Sequence, residues 1–150
     1  MQLSKFAKII AVTLFAALFC TFIIQITARF GFNKPLAWSD ELAVVIYIWT
    51  VLWCAAFVVP EHEHVRFDLL HDRASLAVRR VMRFVGCLAL AGLALYALRG
   101  NWDYIQFMGR EKTPVLSISF FWVFLPFAFL LASLVVRFSW GAYKALREPA

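Results

Sequence analysis

Long apolar stretches alternate with short polar segments along the chain. Uncharged stretches of twenty, nineteen and twenty-two residues cover 9–28, 42–60 and 115–136. A helix that crosses a bilayer needs about 20 apolar residues, at a rise of about 1.5 Å each. The pattern therefore predicts three membrane-spanning helices.

A fourth span is predicted from a shorter stretch. Residues 84–98 give only fifteen uncharged positions, flanked by Arg83 and Arg99. Long basic side chains extend to the headgroup region and lengthen the usable helix, so a helix over about 80–100 is expected to cross. The alternative for this segment is a re-entrant helix that enters and leaves on the same side.

The connection before this span has helical periodicity. Leu70, Ala74, Ala77 and Val81 recur at helical spacing, with charged residues between them. This pattern is typical of a short helix that lies on the membrane surface. We predict such a helix between the second and third spans, over about 69–80.

The distribution of Lys and Arg predicts the orientation. With four spans, ten of these residues fall on the side of the termini and five on the opposite side. Basic residues are enriched in cytoplasmic segments, so both termini are expected in the cytoplasm. The first apolar stretch is too long for a typical signal peptide, and we expect it to remain as a span. The predicted fold is thus a single all-α transmembrane domain over 1–150.

Composition supports lipid as the solvent for most of the surface. Hydrophobic residues make up 63% of the chain, against about 45–50% in soluble domains. The net charge of +6 does not indicate nucleic-acid binding, because the basic residues cluster between apolar stretches and form no single stripe. The three cysteines form no CxxC pair, which gives no support for metal or redox chemistry.

The middle of each predicted span contains no Asp, Glu, Lys, Arg or His. Such residues usually mark proton relays and ion pathways within membranes, so the chain is not expected to carry a charged substrate by itself. A haem-binding membrane protein needs ligands such as histidine within its helices, whereas His62, His64 and His71 lie outside them. Residues 61–71 include ligand types suited to a metal but no recognised spacing. We expect no enzyme activity, no cofactor and no metal site.

Several residues near the second and fourth spans are candidates for partner contacts. Ser39 or Asp40 is expected to cap the second helix, Trp38 suits the membrane interface, and Glu41 is a candidate for a contact with another chain. Pro126 removes a backbone donor within the last helix and is expected to bend it. The aromatic residues around that helix exceed what packing of four helices needs, which favours a larger partner. They are Phe120, Phe121, Trp122, Phe124, Phe127 and Phe129.

Three short motifs lie around the second and last spans. The first precedes and opens the second span and comprises Arg29, Phe30, Phe32, Asn33, Pro35, Trp38 and Glu41. The second follows that span and comprises His64 and Asp68, and the third leads into the last span and comprises residues 113–118 with Trp122 and Pro126. Together these motifs resemble those of the small permease subunit of TRAP (tripartite ATP-independent periplasmic) transporters, the DctQ-type family.

The resemblance implies a subunit in the bacterial inner membrane that works with two other proteins. A large permease subunit would carry an organic acid with sodium ions, and a periplasmic binding protein would deliver the substrate. The small subunit would anchor the large one as a non-catalytic scaffold. The alternatives are a membrane-anchor subunit of a redox complex and a small exporter that works alone. Candidate partner-interface residues are Arg29, Trp38, Glu41, His64, Asp68, Trp122 and Pro126.

Overall fold

Four long helices form the described part of the fold. The structure, a computed structural model, describes residues 2–59 and 76–147. The helices are α1 (Gln2–Ile26), α2 (Ala37–Trp53), α3 (Leu76–Met108) and α4 (Phe120–Arg147). Short π-helical turns, Thr27–Gly31 and Cys54–Val58, extend α1 and α2. Each of the four is long and apolar enough to cross a membrane, which confirms the predicted all-α, four-span fold class.

The third span is one uninterrupted helix. With 33 residues, α3 is about 50 Å long, more than the roughly 30 Å of hydrocarbon in a bilayer. The re-entrant alternative for this segment is therefore wrong. Residues 69–75 of the predicted surface helix lie outside the described residues, while 76–80 form the start of α3.

The first turn of α2 differs from the prediction. The helix begins at Ala37, its N-cap position is Leu36, and no side chain caps it. Ser39 already lies in the first turn, where its hydroxyl donates to the Leu36 carbonyl at 2.7 Å. The predicted cap by Ser39 or Asp40 is wrong because the helix starts directly after the Pro35–Leu36 pair, upstream of both residues.

The helices form an open row rather than a closed bundle. α1 packs on α2, α3 packs on α4, and α2 and α4 connect the two pairs. Within the described residues the order is therefore α1–α2–α4–α3, with α1 and α3 at the two ends. In a closed bundle the two end helices would pack on each other, whereas here no other described helix packs on the outer face of α1 or of α3.

The inner face of α1 is a narrow stripe of mostly small residues. Its buried positions recur at intervals of three, four or seven residues and are Ala7, Ala11, Leu18, Thr21 and Gln25. This is the spacing of a helix that packs against one neighbour along its length. Large apolar side chains such as Phe15 and Phe19 occupy the exposed face. The outward surface of α1 thus suits lipid or another membrane protein.

Candidate functional site

The contact between α2 and α4 joins the two helical pairs. We call this contact the α2–α4 seam. It contains hydrogen bonds at three levels, made by Glu41, Trp49 and Arg137. Side-chain hydrogen bonds between helices are valuable in a membrane because no water is present to satisfy backbone groups there. The seam is therefore the part of the fold that holds the two pairs in a fixed relation.

At the first level, the Glu41 carboxylate accepts two backbone hydrogen bonds. The N–H of Val115 donates to Oε2 at 2.9 Å, and the N–H of Leu116 donates to Oε1 at 3.1 Å. Both donors belong to the connection between α3 and α4. Hydrogen bonds to an ionised acceptor are roughly twice as strong as neutral ones. Glu41 thus ties the N-terminal part of α2 to this connection.

The connection itself, residues 109–119, is a tight hairpin. Lys112 and Ser119 pair as an antiparallel bridge, and the N–H of Thr113 donates to the Ile118 carbonyl at 2.9 Å. The buried Thr113 hydroxyl oxygen accepts the Ile118 N–H at 2.9 Å. Ser117 has a φ of 53°, in the left-handed region. Backbone N–H groups outside regular helices need acceptors elsewhere in the protein or from water, and Glu41 supplies acceptors for two of them in this turn.

This hairpin explains why α4 starts late. The sequence pattern predicts the last span from residue 115, but the helix begins at Phe120. Residues 113–118 have apolar side chains at several positions, yet their backbone hydrogen bonds go to the hairpin and to Glu41. The Ser119 hydroxyl accepts the Phe121 N–H at 3.3 Å, as an N-cap residue does. Ser119 therefore marks the start of α4.

At the second level, Trp49 completes the hydrogen bonding around Pro126. Pro126 lies within α4 and is almost fully buried. It has no N–H, so the carbonyl four residues earlier, that of Trp122, lacks its helical donor. The indole N–H of Trp49 donates to this carbonyl at 3.0 Å. The Trp49 ring also meets Phe129 edge to face, with ring centroids 6.4 Å apart.

At the third level, Arg137 binds the end of α2. Its two terminal nitrogens donate to the Val59 carbonyl at 2.7 Å and to the Ala56 carbonyl at 2.6 Å. The last carbonyls of a helix lack intrahelical donors and carry partial negative charge. A guanidinium satisfies two of them with one side chain. Arg137 thus closes the seam at the end opposite Glu41.

The α1–α2 pair is fastened in a similar way. The Gln25 side-chain amide donates to the Asp40 carboxylate near one end of the pair. Near the other end, the Trp53 indole N–H donates to the Ala7 carbonyl at 3.1 Å. Ala7 lies in the interior of α1, where its carbonyl also has the regular helical donor from Ala11. The Trp53 bond is therefore a second hydrogen bond to the Ala7 carbonyl, whereas the Trp49 bond replaces the missing helical donor of the Trp122 carbonyl.

The candidate partner residues fall into two groups in the structure. Arg29, Trp38 and Trp122 have exposed side chains, with 57% of Trp122 exposed. Glu41 and Pro126 instead make their contacts within the chain. His64 and Asp68 lie outside the described residues, as does the histidine-rich segment. Within 2–59 and 76–147, no group of three or more His, Cys, Asp or Glu residues is placed to bind a metal ion.

Two residues of the seam have no counterpart in the sequence prediction. Trp49 looked like one of many aromatic residues in a span, and Arg137 looked like part of a cytoplasmic tail. The proline provided a signal for the first, because a missing donor within a membrane helix requires a replacement. For the second, the signal was an arginine placed directly after an apolar run, where it can reach the end of a neighbouring helix.

Fold and seam together define a class: a multi-pass membrane protein whose four described spans form an open row of helices. Residues 18–141 match the family model described as "Tripartite ATP-independent periplasmic transporters, DctQ component". The chain belongs to this family of TRAP transporter small permease subunits and is a multi-pass inner-membrane protein. This confirms the resemblance seen in its three motifs.

Individual relatives agree with the family. The chain is 29% identical over 80 residues to the C4-dicarboxylate TRAP transporter small permease protein DctQ of Vibrio cholerae, covering 53% of this chain and 34% of that protein. It is 32% identical over 78 residues to the sialic acid TRAP transporter permease protein SiaT of Haemophilus influenzae, covering 52% of this chain and 13% of that protein. A third relative is the sialic acid TRAP transporter small permease protein SiaQ of Vibrio cholerae, 31% identical over 71 residues, which are 47% of this chain and 41% of that protein. Each match therefore spans less than half of the relative.

Proposed function

We propose that this chain is the non-catalytic scaffold subunit of a TRAP transporter. It would anchor a large, sodium-coupled permease subunit during uptake of an organic acid that a periplasmic binding protein delivers. The observation that carries the proposal is the α2–α4 seam. Its hydrogen bonds fix two helical pairs in one row. They also give the Trp122 carbonyl, which loses its helical donor at Pro126, a replacement donor. A subunit that supports a moving neighbour needs this rigidity.

The relatives support a partner of this kind. The 78 residues matched in SiaT make up 13% of a protein named as a permease. A segment similar to this chain therefore occurs within a much longer permease polypeptide. The presence of such a segment inside a longer permease supports association of this chain with a larger permease subunit.

The outer face of α3 is the surface that we assign to the large subunit. Three exposed glycines lie on the outward side of this helix, at positions 86, 92 and 100, and an added Cβ at any of them meets no atom within 4 Å. Glycine within a helix costs about 1 kcal/mol relative to alanine, and packing inside this chain does not require it. Small residues permit close approach of a partner helix. The neighbouring Tyr96, with 84% of its surface exposed, adds a hydroxyl that lipid tails cannot satisfy.

Co-purification tests the assembly and this surface together. The tagged chain is expressed together with a large permease subunit from the same organism, and the retained permease is quantified. We expect wild type and Gly86→Ala to retain it, and Gly86→Leu to lose most of it, because leucine blocks close approach. Ala16→Leu places the same leucine side chain at an exposed position on α1 and is the control. Loss from the α1 variant alone would reassign the surface to α1, and failure of every variant to associate would overturn the scaffold role.

Transport in proteoliposomes tests the division of labour. We expect no uptake of an organic acid by this chain alone under a sodium gradient, and uptake when the large subunit and the binding protein are added. Sodium-driven uptake by the isolated chain would show that it is a carrier. The Trp38→Ala, Glu41→Ala double variant is expected to insert normally but to support less uptake, because it alters a candidate contact and loosens the hairpin.

The orientation belongs to the same proposal. Arg137 contacts the end of α2. That end also lies beside the start of α1, because Trp53 bonds Ala7. All three therefore lie on the side that holds ten of the fifteen Lys and Arg residues. We infer that this side faces the cytoplasm and that the 109–119 hairpin faces the periplasm. Alkaline phosphatase inserted after Glu111 is expected to be active, whereas a fusion to the C-terminus is expected to be inactive. The reverse pattern would invert the topology.

A further inference from the structure

A groove opens between α3 and α4 near the hairpin end of the fold. Its free volume is about 480 Å³, within the usual range for ligand sites. Apolar side chains of both helices form its floor: Leu95, Leu98, Leu125, Ala128 and Ala132. The two alanines among them have small side chains, which keeps the groove open. Such a surface, open towards the bilayer, suits a hydrocarbon chain.

The groove ends at a pair of opposite charges. Arg99, Trp102 and Asp103 line it at this end. Arg99 directly follows the fifteen-residue uncharged stretch of α3, so it lies where hydrocarbon gives way to headgroups. In the described part of the chain, Arg99 makes no hydrogen bond or ion pair, and its side chain is exposed. Asp103 lies one turn further out, about 6 Å along the helix axis.

The order of these groups matches one kind of lipid. The geometry points to a site for a zwitterionic phospholipid, phosphatidylethanolamine, in the leaflet at the hairpin end. One acyl chain would lie in the groove, the phosphate would meet Arg99, and the outer ammonium would meet Asp103. A phosphate lies closer to the acyl chains than the ammonium does, as Arg99 lies deeper than Asp103. Phosphatidylglycerol has the phosphate but no cation for Asp103, so this carboxylate selects against it.

Native mass spectrometry of the full chain, purified with its membrane partners, tests the site. Phosphatidylethanolamine and phosphatidylglycerol with identical acyl chains are added at equal concentration, and bound lipid is counted. We expect the wild type to prefer phosphatidylethanolamine by about fivefold, the effect of one interfacial charge. Arg99→Gln is expected to weaken both lipids by about fivefold. Asp103→Asn is expected to abolish the preference while leaving phosphatidylglycerol bound.

Matched variants separate the groove from general effects. Ala132→Phe fills the groove and is expected to reduce both lipids, whereas Ala89→Phe, on an exposed part of α3, is expected to have no effect. Arg110→Gln removes a nearby exposed charge outside the groove and should also leave binding unchanged. If Ala132→Phe disturbs folding, the two charge variants decide the outcome.

Two results would overturn the site. One is equal binding of both lipids by the wild type, with no loss in Arg99→Gln. The other is a photoreactive residue at position 132 that crosslinks to a protein chain instead of lipid, which would make the groove part of the subunit interface. Because both readouts score lipid at the groove of this chain, and neither measures uptake or the amount of permease retained, failure here leaves the scaffold proposal to its own tests.

Discussion

Replacing Trp49 with phenylalanine removes the indole N–H that bonds the Trp122 carbonyl but keeps an aromatic ring at the same position. Because residue 126 is a proline, the helix itself provides no N–H donor for this carbonyl. Trp49 lies about midway along the Ala37–Val58 span, so its contact is at membrane depth, where water does not replace a lost donor. The variant therefore leaves a backbone acceptor unsatisfied.

The expected cost is about 1 to 1.5 kcal/mol. Side-chain hydrogen bonds between membrane helices average about 0.6 kcal/mol and reach about 1.7 kcal/mol. An acceptor left without any partner belongs in the upper half of that range. Trp53→Phe is the matched control, because it deletes the same N–H and the same ring area from the same helix. Its acceptor, the Ala7 carbonyl, keeps a helical donor, so the control should lose about 1 kcal/mol less.

A double-mutant cycle with Pro126→Ala isolates the contact. Alanine restores an N–H at position 126, which can donate to the Trp122 carbonyl. In this background, Trp49→Phe should cost little, which gives a coupling energy of about 1 kcal/mol between positions 49 and 126. Reversible unfolding in mixed micelles, followed by far-ultraviolet circular dichroism, measures all four proteins. Equal losses for Trp49→Phe and Trp53→Phe, together with zero coupling, would refute the reasoning.

Three further variants probe the other levels of the fold. Glu41→Ala should raise the rate of amide hydrogen exchange at Val115 and Leu116 by about tenfold or more, and Glu41→Gln should raise it less. Unchanged exchange rates in both variants would show that the carboxylate does not hold the hairpin. Arg137→Lys keeps the charge but cannot donate to both carbonyls in the same planar geometry. We therefore expect the free energy of unfolding to fall by about 1 to 2 kcal/mol in the same assay. Wild-type stability of this variant would count against the contact. Ser117→Gly should stabilise the chain slightly, because glycine adopts a positive φ without cost. Ser117→Val should destabilise it by about 1 to 2 kcal/mol. A valine variant more stable than the glycine variant would contradict the left-handed turn.

The four helices followed from the sequence because each depends on a local property. Length, apolar content and flanking charge are sufficient to identify a span, and the pattern succeeded even for α3, whose uncharged centre is short. The start of α4 was missed for a physical reason. Residues 113–118 look like the beginning of a span, but Glu41, more than seventy positions earlier, binds two of their backbone N–H groups. A contact of that sequence separation leaves no local signature.

The candidate site was predictable only in part. The motifs pointed to Glu41 and Pro126, and both proved to be elements of one seam. What each does was beyond the sequence, because it depends on which helices are neighbours. Pro126 signals a missing donor, but the chain has six tryptophans, and only the packing of α2 on α4 identifies Trp49 as the replacement.

The open row makes the seam more important than it would be in a closed bundle. In a closed bundle each helix touches two others, so a force on one helix reaches the rest by two routes. Here the described contacts pass from α3 to α4, then to α2, then to α1. If the large subunit binds the outer face of α3, as we propose, strain from its motion reaches α1 through the α2–α4 seam, as far as the contacts of the described residues go. Weakening the seam should therefore reduce transport even in variants that still assemble, which distinguishes a rigid support from a simple membrane anchor.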